Sequence, residues 1–253
     1  MLRYYKLSAE IPSPVPARGA YEKRAPGKGW PEECPPVRAA NSFGWDVLAA
    51  HDMVFRRQGD QWTIDEPVDV ESDWMYSPPF GEGGGDEPQG APLVQRNAWF
   101  WQEDQVLPHA ISSQVYKEIA DQVKVSTFLF VTTGENELLY MTDVPNLKRP
   151  FRVLSALLDT DWYPASYPWH CVLDLDPTHE KIEIPRGSPL CRLFTVRRDH
   201  YFAQEMTPAE FESYFHRTQE WLRRYGKGEH EGMMDITGHY VKQQRLSKFS
   251  VIL

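Results

Sequence analysis

The chain has 253 residues, of which 41% are hydrophobic and 25% are charged, and its formal net charge at pH 7 is −9. This composition predicts a folded globular protein rather than a disordered one. The acidic balance without a basic stripe disfavours binding to nucleic acid or to an anionic membrane, and no apolar run approaches the roughly 20 residues of a membrane-spanning helix.

The cysteines and the first residues bear on the cellular compartment. The three cysteines, Cys34, Cys171 and Cys191, show no Cys-x-x-Cys spacing, which is typical of reduced thiols. The opening segment MLRYYKLSAEIP lacks the apolar core of a signal peptide. We therefore predict a cytoplasmic protein.

The first hundred residues alternate between strand patterns and segments rich in Pro and Gly. Residues 1–36 predict an edge strand at LRYYKL and then an irregular arm. DMVFRRQGDQWTI predicts a hairpin that turns at Gln58-Gly59-Asp60. Residues 65–95 predict a long mobile loop, whose Gly- and Pro-rich part at 77–92 could serve as a lid or be a simple insertion.

The middle of the chain predicts one helix and a series of short strands. NAWFWQ predicts a strand with Trp99 and Trp101 on one face. In LPHAISSQVYKEIADQV, apolar residues recur every four positions, which predicts a helix. KVSTFLFVTT and ENELLYMTDV predict a hairpin, and three further strands are predicted at WHCVLDLD, EKIEIP and PLCRLFTVRR.

The strongest helix signal lies near the C-terminus. Thr207 and Glu210 fit a capping box with Pro208 at the first helical position, and Gly226 fits the end of the helix. Apolar residues recur on one face of this segment. The final segment KFSVIL predicts an edge strand, or an arm that reaches another subunit.

These elements predict a mainly β fold. We expect a jelly-roll or cupin-like β-sandwich with a C-terminal amphipathic helix and one shorter internal helix. The predicted organisation is an N-terminal edge strand and arm (1–36), a single mainly β domain (37–226) and a C-terminal tail (227–253).

The most unusual segment is DTDWYPASYPWHCVLDLD, residues 159–176. Asp159 and Asp161 could act as an acid/base pair, but an Asx-type turn whose carboxylates accept backbone N–H groups is the preferred interpretation. The neighbouring aromatic residues could line a cleft or simply belong to the core and its rim. The candidate ligand-binding residues are Trp99, Trp101, Asp159, Asp161, Trp162, Tyr163, Tyr167, Trp169 and His170.

A metal site is the weaker interpretation of the same region. His170 and Asp174 lie four residues apart on a predicted strand, a separation of about 13 Å that a single ion does not bridge without a bulge. No histidine is followed two positions later by an acid, and no His-x-His occurs. The metal alternative, with a divalent ion such as iron, would use His170, Asp174, and His200 or His109.

Five segments stand in a fixed order along the chain: CPPVRAANSFGWDVL (34–48), VPN (144–146), DTDWYP (159–164), Trp169 and IPRGSPLCRLFTV (184–196). Together they resemble the motifs of a bacterial family of uncharacterised proteins. The resemblance implies a cytoplasmic, mainly β, cupin-like domain and carries no known activity. Arg38 and Asn41 in the first segment are candidate structural polar residues, and we expect Arg38 to pair with Asp159 or Asp161.

The predicted function is the binding of a small molecule or a partner in an aromatic-lined cleft. Two alternatives are a metal-dependent enzyme of specialised metabolism, cupin-like or of the non-haem iron type, and a structural or assembly protein. In the last case a homo-oligomer would form through the C-terminal segment. The sequence leaves open whether the chain is an enzyme.

Overall fold

The computed structural model describes residues 1–19, 25, 30–65, 109–111, 117–163, 168–226 and 236–250. Fourteen strands, three α-helices and two 3-10 turns lie in these ranges. The strands are β1 (Arg3–Lys6), β2 (Val15–Pro16), β3 (Trp45–Leu48), β4 (Met53–Gln58), β5 (Gln61–Asp65), β6 (His109–Ile111), β7 (Gln122–Ser126), β8 (Leu129–Thr132), β9 (Glu137–Thr142), β10 (Phe151–Val153), β11 (Ala156–Leu158), β12 (His170–Leu175), β13 (Lys181–Ile184) and β14 (Pro189–Arg197). The helices are α1 (Pro35–Asn41), α2 (Pro208–Tyr225) and α3 (Ile236–Ser250), and the 3-10 turns are Pro31–Glu33 and Lys117–Ile119.

The described strands form four antiparallel sheets. Their strand orders are β11-β9-β14-β3-β2, β10-β12-β7-β6, β13-β4-β5 and β1-β8. The fold is therefore a mainly β, jelly-roll β-sandwich with a C-terminal helix, which confirms the predicted fold class. The short internal helix that the structure contains is α1, which lies outside the segment where a helix was predicted.

A single hydrophobic core joins these sheets. In β12, Cys171, Leu173 and Leu175 are buried, as their alternation predicts. The same core cluster contains Leu139 from β9 and Leu193 from β14. His170, predicted on the polar face of β12, is also buried, so this strand is covered on both sides at its first residue.

A buried ion pair lies in the centre of the five-stranded sheet. Asp46 of β3 and Arg192 of β14 stand opposite each other in the antiparallel register, and their side chains form an ion pair with no exposed surface. Arg192 also donates to the carbonyl of Phe43 at 3.0 Å. Gly44 (φ +93°) packs so closely on β14 that a Cβ atom would lie 2.5 Å from the Leu193 carbonyl oxygen.

The chain divides into two compact units. The first contains Met1–Arg18 and Asn41–Arg198 and holds the sheets, and the second contains Gly19–Ala40 and Asp199–Leu253. In the second unit, α2 begins with the predicted capping box, in which Thr207 and Glu210 bond each other's backbone N–H groups. Among the described residues, no helix is both long and apolar enough to cross a membrane.

Three predicted elements differ from the structure. The segment 107–123, predicted as a helix, contains strand β6, a 3-10 turn and the start of β7. The predicted hairpin between residues 124 and 144 is wrong in its pairing, because β8 pairs with β1 and β9 pairs with β11 and β14. The KFSVIL segment was predicted to be an edge strand or an arm, but its residues 248–250 belong to α3.

Of the remaining predictions, several fall on residues that the structure does not describe, and one, a hairpin, is confirmed. The long loop predicted at 65–95 lies outside the described residues from residue 66 onward, as do Trp99, Trp101 and Tyr167. The hairpin predicted at residues 52–64 is confirmed, since Gln58 and Gln61 close the turn between β4 and β5.

Candidate functional site

A tight turn at residues 159–163 gathers the polar and aromatic side chains that the sequence singled out. The backbone N–H groups of Trp162 and Tyr163 both donate to the carbonyl of Asp159, at 3.3 and 2.8 Å. The carboxylate of Asp161 accepts backbone N–H groups within the turn, including that of Trp162. Asp161 therefore makes the backbone contacts that the sequence favoured for both carboxylates, whereas the carboxylate of Asp159 contacts the side chains of Arg198 and Trp162.

The buried side chain of Thr160 holds this turn against the end of β8. Its hydroxyl lies 2.9 Å from the hydroxyl of Thr133, and its carbonyl accepts the Thr132 hydroxyl at 2.9 Å. Thr160 and Thr133 are both buried. Because the bond between the two hydroxyls is buried, it helps to fix the turn relative to the sheet.

One guanidinium joins the two carboxylates of the turn. Arg198 Nη2 lies 2.7 Å from Asp159 Oδ1 and 2.7 Å from Asp161 Oδ1, and Arg198 Nε donates to Asp161 Oδ2 at 3.3 Å. These bonds to Arg198 hold the pKa of Asp161 below its usual value, and they raise the pKa of Arg198. The cation that pairs with these carboxylates is thus Arg198, in place of the predicted Arg38.

The indole of Trp162 lies beside this ion-pair cluster and faces solvent. Its Nε1 donates to Asp159 Oδ1 at 3.2 Å, and 66% of the residue is exposed. The Tyr163 ring lies 6.2 Å from the Trp162 ring and 6.0 Å from the Trp169 ring. The described aromatic rings therefore form an open row and do not enclose a cleft.

A shallow groove of about 350 Å³ lies next to this row, with Trp169 and His170 in its wall. Its other lining residues are mostly apolar and come from β9, the segment from Leu154 to Leu158, and β12, with Lys124 of β7 as the charged member. Trp169 itself is held by the sheet, since its backbone N–H donates to the Leu129 carbonyl at 2.8 Å and its indole N–H to the Val131 carbonyl at 3.3 Å.

Among the described side chains, the proposed metal ligands do not form a metal-binding group. Asp174 pairs with Arg152 at 2.7 Å. The side chain of His109 is outside what the structure describes. Within the described ranges, no three His, Cys, Asp or Glu side chains are grouped as a metal site would need.

Asn41, one of the two candidate structural polar residues, makes a side-chain hydrogen bond to another of the ordered motifs. It is buried, and its Oδ1 accepts a hydrogen bond from Asn146 Nδ2 at 2.7 Å. Asn146 adopts a left-handed backbone conformation (φ +61°). This bond links two of the five ordered motifs, at residues 34–48 and 144–146.

Sequence reasoning missed Arg198 and the buried pair of Asp46 and Arg192. A signal existed for the pair, because Arg192 interrupts the apolar run PLCRLF and Asp46 follows Gly44-Trp45 before Val47. A charged residue inside an apolar strand needs a partner of opposite charge. No comparable signal existed for Arg198, which follows β14 and lies between two other charged residues, Arg197 and Asp199.

Comparison with known proteins gives structural neighbours only. No family model and no curated protein matches the chain. A mutant of the Staphylococcus bacteriophage 80alpha dUTPase with dUpNHpp is 11% identical with a TM-score of 0.36, and the match covers 84% of this chain and 90% of that one. The dUTPase of phage phi11 of S. aureus is 11% identical with a TM-score of 0.36, and the match covers 84% of this chain and 99% of that one. EIAV dUTPase is 9% identical with a TM-score of 0.33, and the match covers 82% of this chain and 98% of that one.

The function predicted from the sequence is contradicted. The prediction was binding in an aromatic cleft, with a cupin-like metal enzyme or an assembly protein as alternatives, whereas the similar solved structures are dUTPases. The geometry also fails to support it, because the aromatic row is open and the described residues form no metal-binding group. At 9–11% identity and TM-scores of 0.33–0.36, no residue role passes from those enzymes to this chain.

Proposed function

We propose that the chain is a nucleotide hydrolase that acts on a nucleoside polyphosphate at the turn formed by residues 159–163. The observation that carries the proposal is that Asp159, in the turn, binds both the exposed indole of Trp162 and the guanidinium of Arg198. A stacking surface, a carboxylate and a guanidinium are the three groups that base binding, water activation and phosphate binding require.

The indole of Trp162 is suited to bind the base. A base that stacks on an exposed aromatic ring gains about 1–3 kcal/mol. The hydrogen bond to Asp159 fixes the ring before a ligand arrives, so little conformational entropy is lost on binding. Stacking is tolerant of base identity, so this contact alone selects a nucleotide and not a particular one.

The polar groups supply the chemistry. Both contacts of Asp159, to Arg198 and to Trp162, use Oδ1, and Oδ2 has no partner among the described residues. Oδ2 takes a proton from water as the water oxygen bonds to phosphorus and the bridging P–O bond breaks, which releases a shorter nucleotide and phosphate or pyrophosphate. Arg198, whose side chain is 37% exposed, stabilises the charge on the phosphate oxygens.

The charge of the cluster indicates the form of the substrate. Two carboxylates and one guanidinium leave one net negative charge, which repels a bare polyphosphate. A magnesium complex of the nucleotide avoids this repulsion, because Mg²⁺ is commonly held by one or two carboxylates together with substrate phosphates. A cytoplasmic location and membership of the family of uncharacterised proteins agree with such a substrate, and both stay predictions.

The test is hydrolysis of a panel of nucleoside triphosphates, with dUTP as the first substrate, in the presence and absence of Mg²⁺. Released phosphate and pyrophosphate are measured with the full chain. We expect Asp159→Asn to lower kcat by about 10²-fold or more, since it removes the base. Trp162→Ala should raise KM about tenfold or more with a smaller change in kcat, because stacking is lost.

Two variants serve as matched controls. Asp174→Asn alters a carboxylate that pairs with Arg152 on another strand, and Trp45→Ala removes a second partly exposed indole. Both should keep wild-type kcat and KM. No turnover of any triphosphate by the wild-type chain, or equal losses in the site variants and the controls, would overturn the proposal.

A further inference from the structure

Helix α2 carries an exposed aromatic stripe, formed by Phe211, Tyr214 and Phe215. The Phe211 ring lies 6.0 Å from the Phe215 ring and 6.4 Å from the Tyr214 ring. Each of the three is about half exposed, and α2 contains no buried residue. Large apolar side chains clustered on one helix face mark an interaction surface.

The other end of α2 is already engaged within its own unit. Near the C-terminus of α2, the Trp221 and Tyr225 rings lie 5.7 Å apart. Tyr225 in turn contacts His239 of α3, with 5.7 Å between ring centroids. On α2 itself, the exposed aromatic surface therefore lies in the N-terminal half of the helix, where the stripe lies.

We propose that a second copy of this chain docks on the stripe, with the two α2 helices antiparallel and the two-fold axis near Tyr214. The contact is isologous, so the stripe of each copy covers the stripe of the other. The N-terminal halves overlap, and the ends that contact α3 point away from the interface.

Charge complementarity selects a second copy and sets the direction. Glu210 and Arg217 are seven residues apart and flank the stripe on the same side. In the antiparallel arrangement, Glu210 of each copy faces Arg217 of the other. A parallel arrangement would place two acidic first turns and two positive helix N-termini side by side, which is unfavourable.

The charge balance of α2 disfavours a membrane as the occupant. Three glutamates (Glu210, Glu212 and Glu220) match three arginines (Arg217, Arg223 and Arg224), whereas helices that bind anionic lipid have a basic polar face. Six aromatic side chains in the dimer would bury on the order of 1,000 Å² with their surroundings, the lower limit for a specific contact. We therefore expect a weak, reversible dimer.

The test is sedimentation velocity of the full chain over a range of concentrations. We expect the mass to rise from 29.4 kDa toward twice that value at tens of micromolar. Arg217→Glu should weaken the dimer at least tenfold, because it places two acids together. Arg223→Glu makes the same charge change outside the stripe and should associate like the wild type.

Crosslinking tests the direction of the helices. Tyr214→Cys lies near the proposed axis and should form a disulfide-linked dimer on mild oxidation with copper phenanthroline, in a Cys34→Ser background. Gln219→Cys lies away from the axis and should not. Circular dichroism checks that each variant keeps its helix. A wild-type chain that stays monomeric, equal effects of Arg217→Glu and Arg223→Glu, no crosslink at 214, or sedimentation with anionic vesicles in place of dimers would overturn the proposal.

Discussion

Asp46 and Arg192 form an ion pair from which water is fully excluded. The two charges stabilise the fold only while both are present. A single buried charge has lost its contacts with water and has no opposite charge nearby to compensate for that loss. Asp46→Ala leaves Arg192 in that state and should lower the free energy of unfolding by about 3–5 kcal/mol. Urea unfolding followed by tryptophan fluorescence measures the change.

A double variant tests whether the loss of stability comes from leaving one charge buried without its partner. Asp46→Val with Arg192→Leu removes both charges and should recover a large part of the stability, because neither charge is left alone. If the double variant is as unstable as the sum of the two single variants, the charges are not coupled and the explanation is wrong.

The pair of Asp161 and Arg198 gives stability that depends on pH. Arg198 lowers the folded-state pKa of Asp161, so the unfolded chain binds the proton first as pH falls. The stabilisation is therefore complete above the unfolded-state pKa of about 4 and is lost as pH falls through the lower folded-state pKa. Asp161→Asn should be less stable than the wild type at pH 7, and the gap should narrow below about pH 4. A gap that stays constant between pH 7 and pH 3 would contradict this account.

The strand elements were more predictable than the helices, for a geometric reason. Alternation with a period of two appears directly in WHCVLDLD, and β12 buries the alternating residues as expected. In the segment 107–123, apolar residues recur every four positions, and this spacing keeps side chains on one side both in a helix and in a strand. The segment forms strands because His109–Ile111 pairs with Val123–Val125 in an antiparallel register, and the local sequence does not reveal that pairing.

The helices at the C-terminus show the opposite case. Thr207, Pro208, Glu210 and Gly226 are local signals, because each acts on backbone groups within one turn, and they placed both ends of α2 correctly. α3 lacks such signals at its start, where no acidic residue occupies the first turn. The segment KFSVIL, which overlaps the end of α3, was predicted to be a strand because its first four residues alternate polar and apolar side chains.

Pairing across the sheets limits what the sequence can say about the site. Asp161 and Arg198 are 37 residues apart, and the turn and the end of β14 meet only because β9 lies between β11 and β14. The carboxylates and aromatic residues of the turn were identified because they are adjacent in sequence. Their cation was assigned to Arg38 because no local pattern ranks one arginine above another.

We expect the first unit to unfold cooperatively, because its four sheets share one hydrophobic core. Leu173 of β12 is fully buried in the cluster that also contains Leu139 and Leu193 of the five-stranded sheet. Leu173→Ala should cost about 2–5 kcal/mol through lost burial and a cavity. Native-state hydrogen exchange should show β9 and β14 losing protection together with β12, because they open as one unit.

The exposed Leu157 on β11 provides the control for this experiment. Leu157→Ala removes the same side-chain atoms at a site that is 53% exposed, so it should change the free energy of unfolding by less than about 0.5 kcal/mol. If Leu173→Ala lowers protection only within β12 and its own sheet, the sheets unfold separately. The sheets would then be held together by something other than the common apolar core.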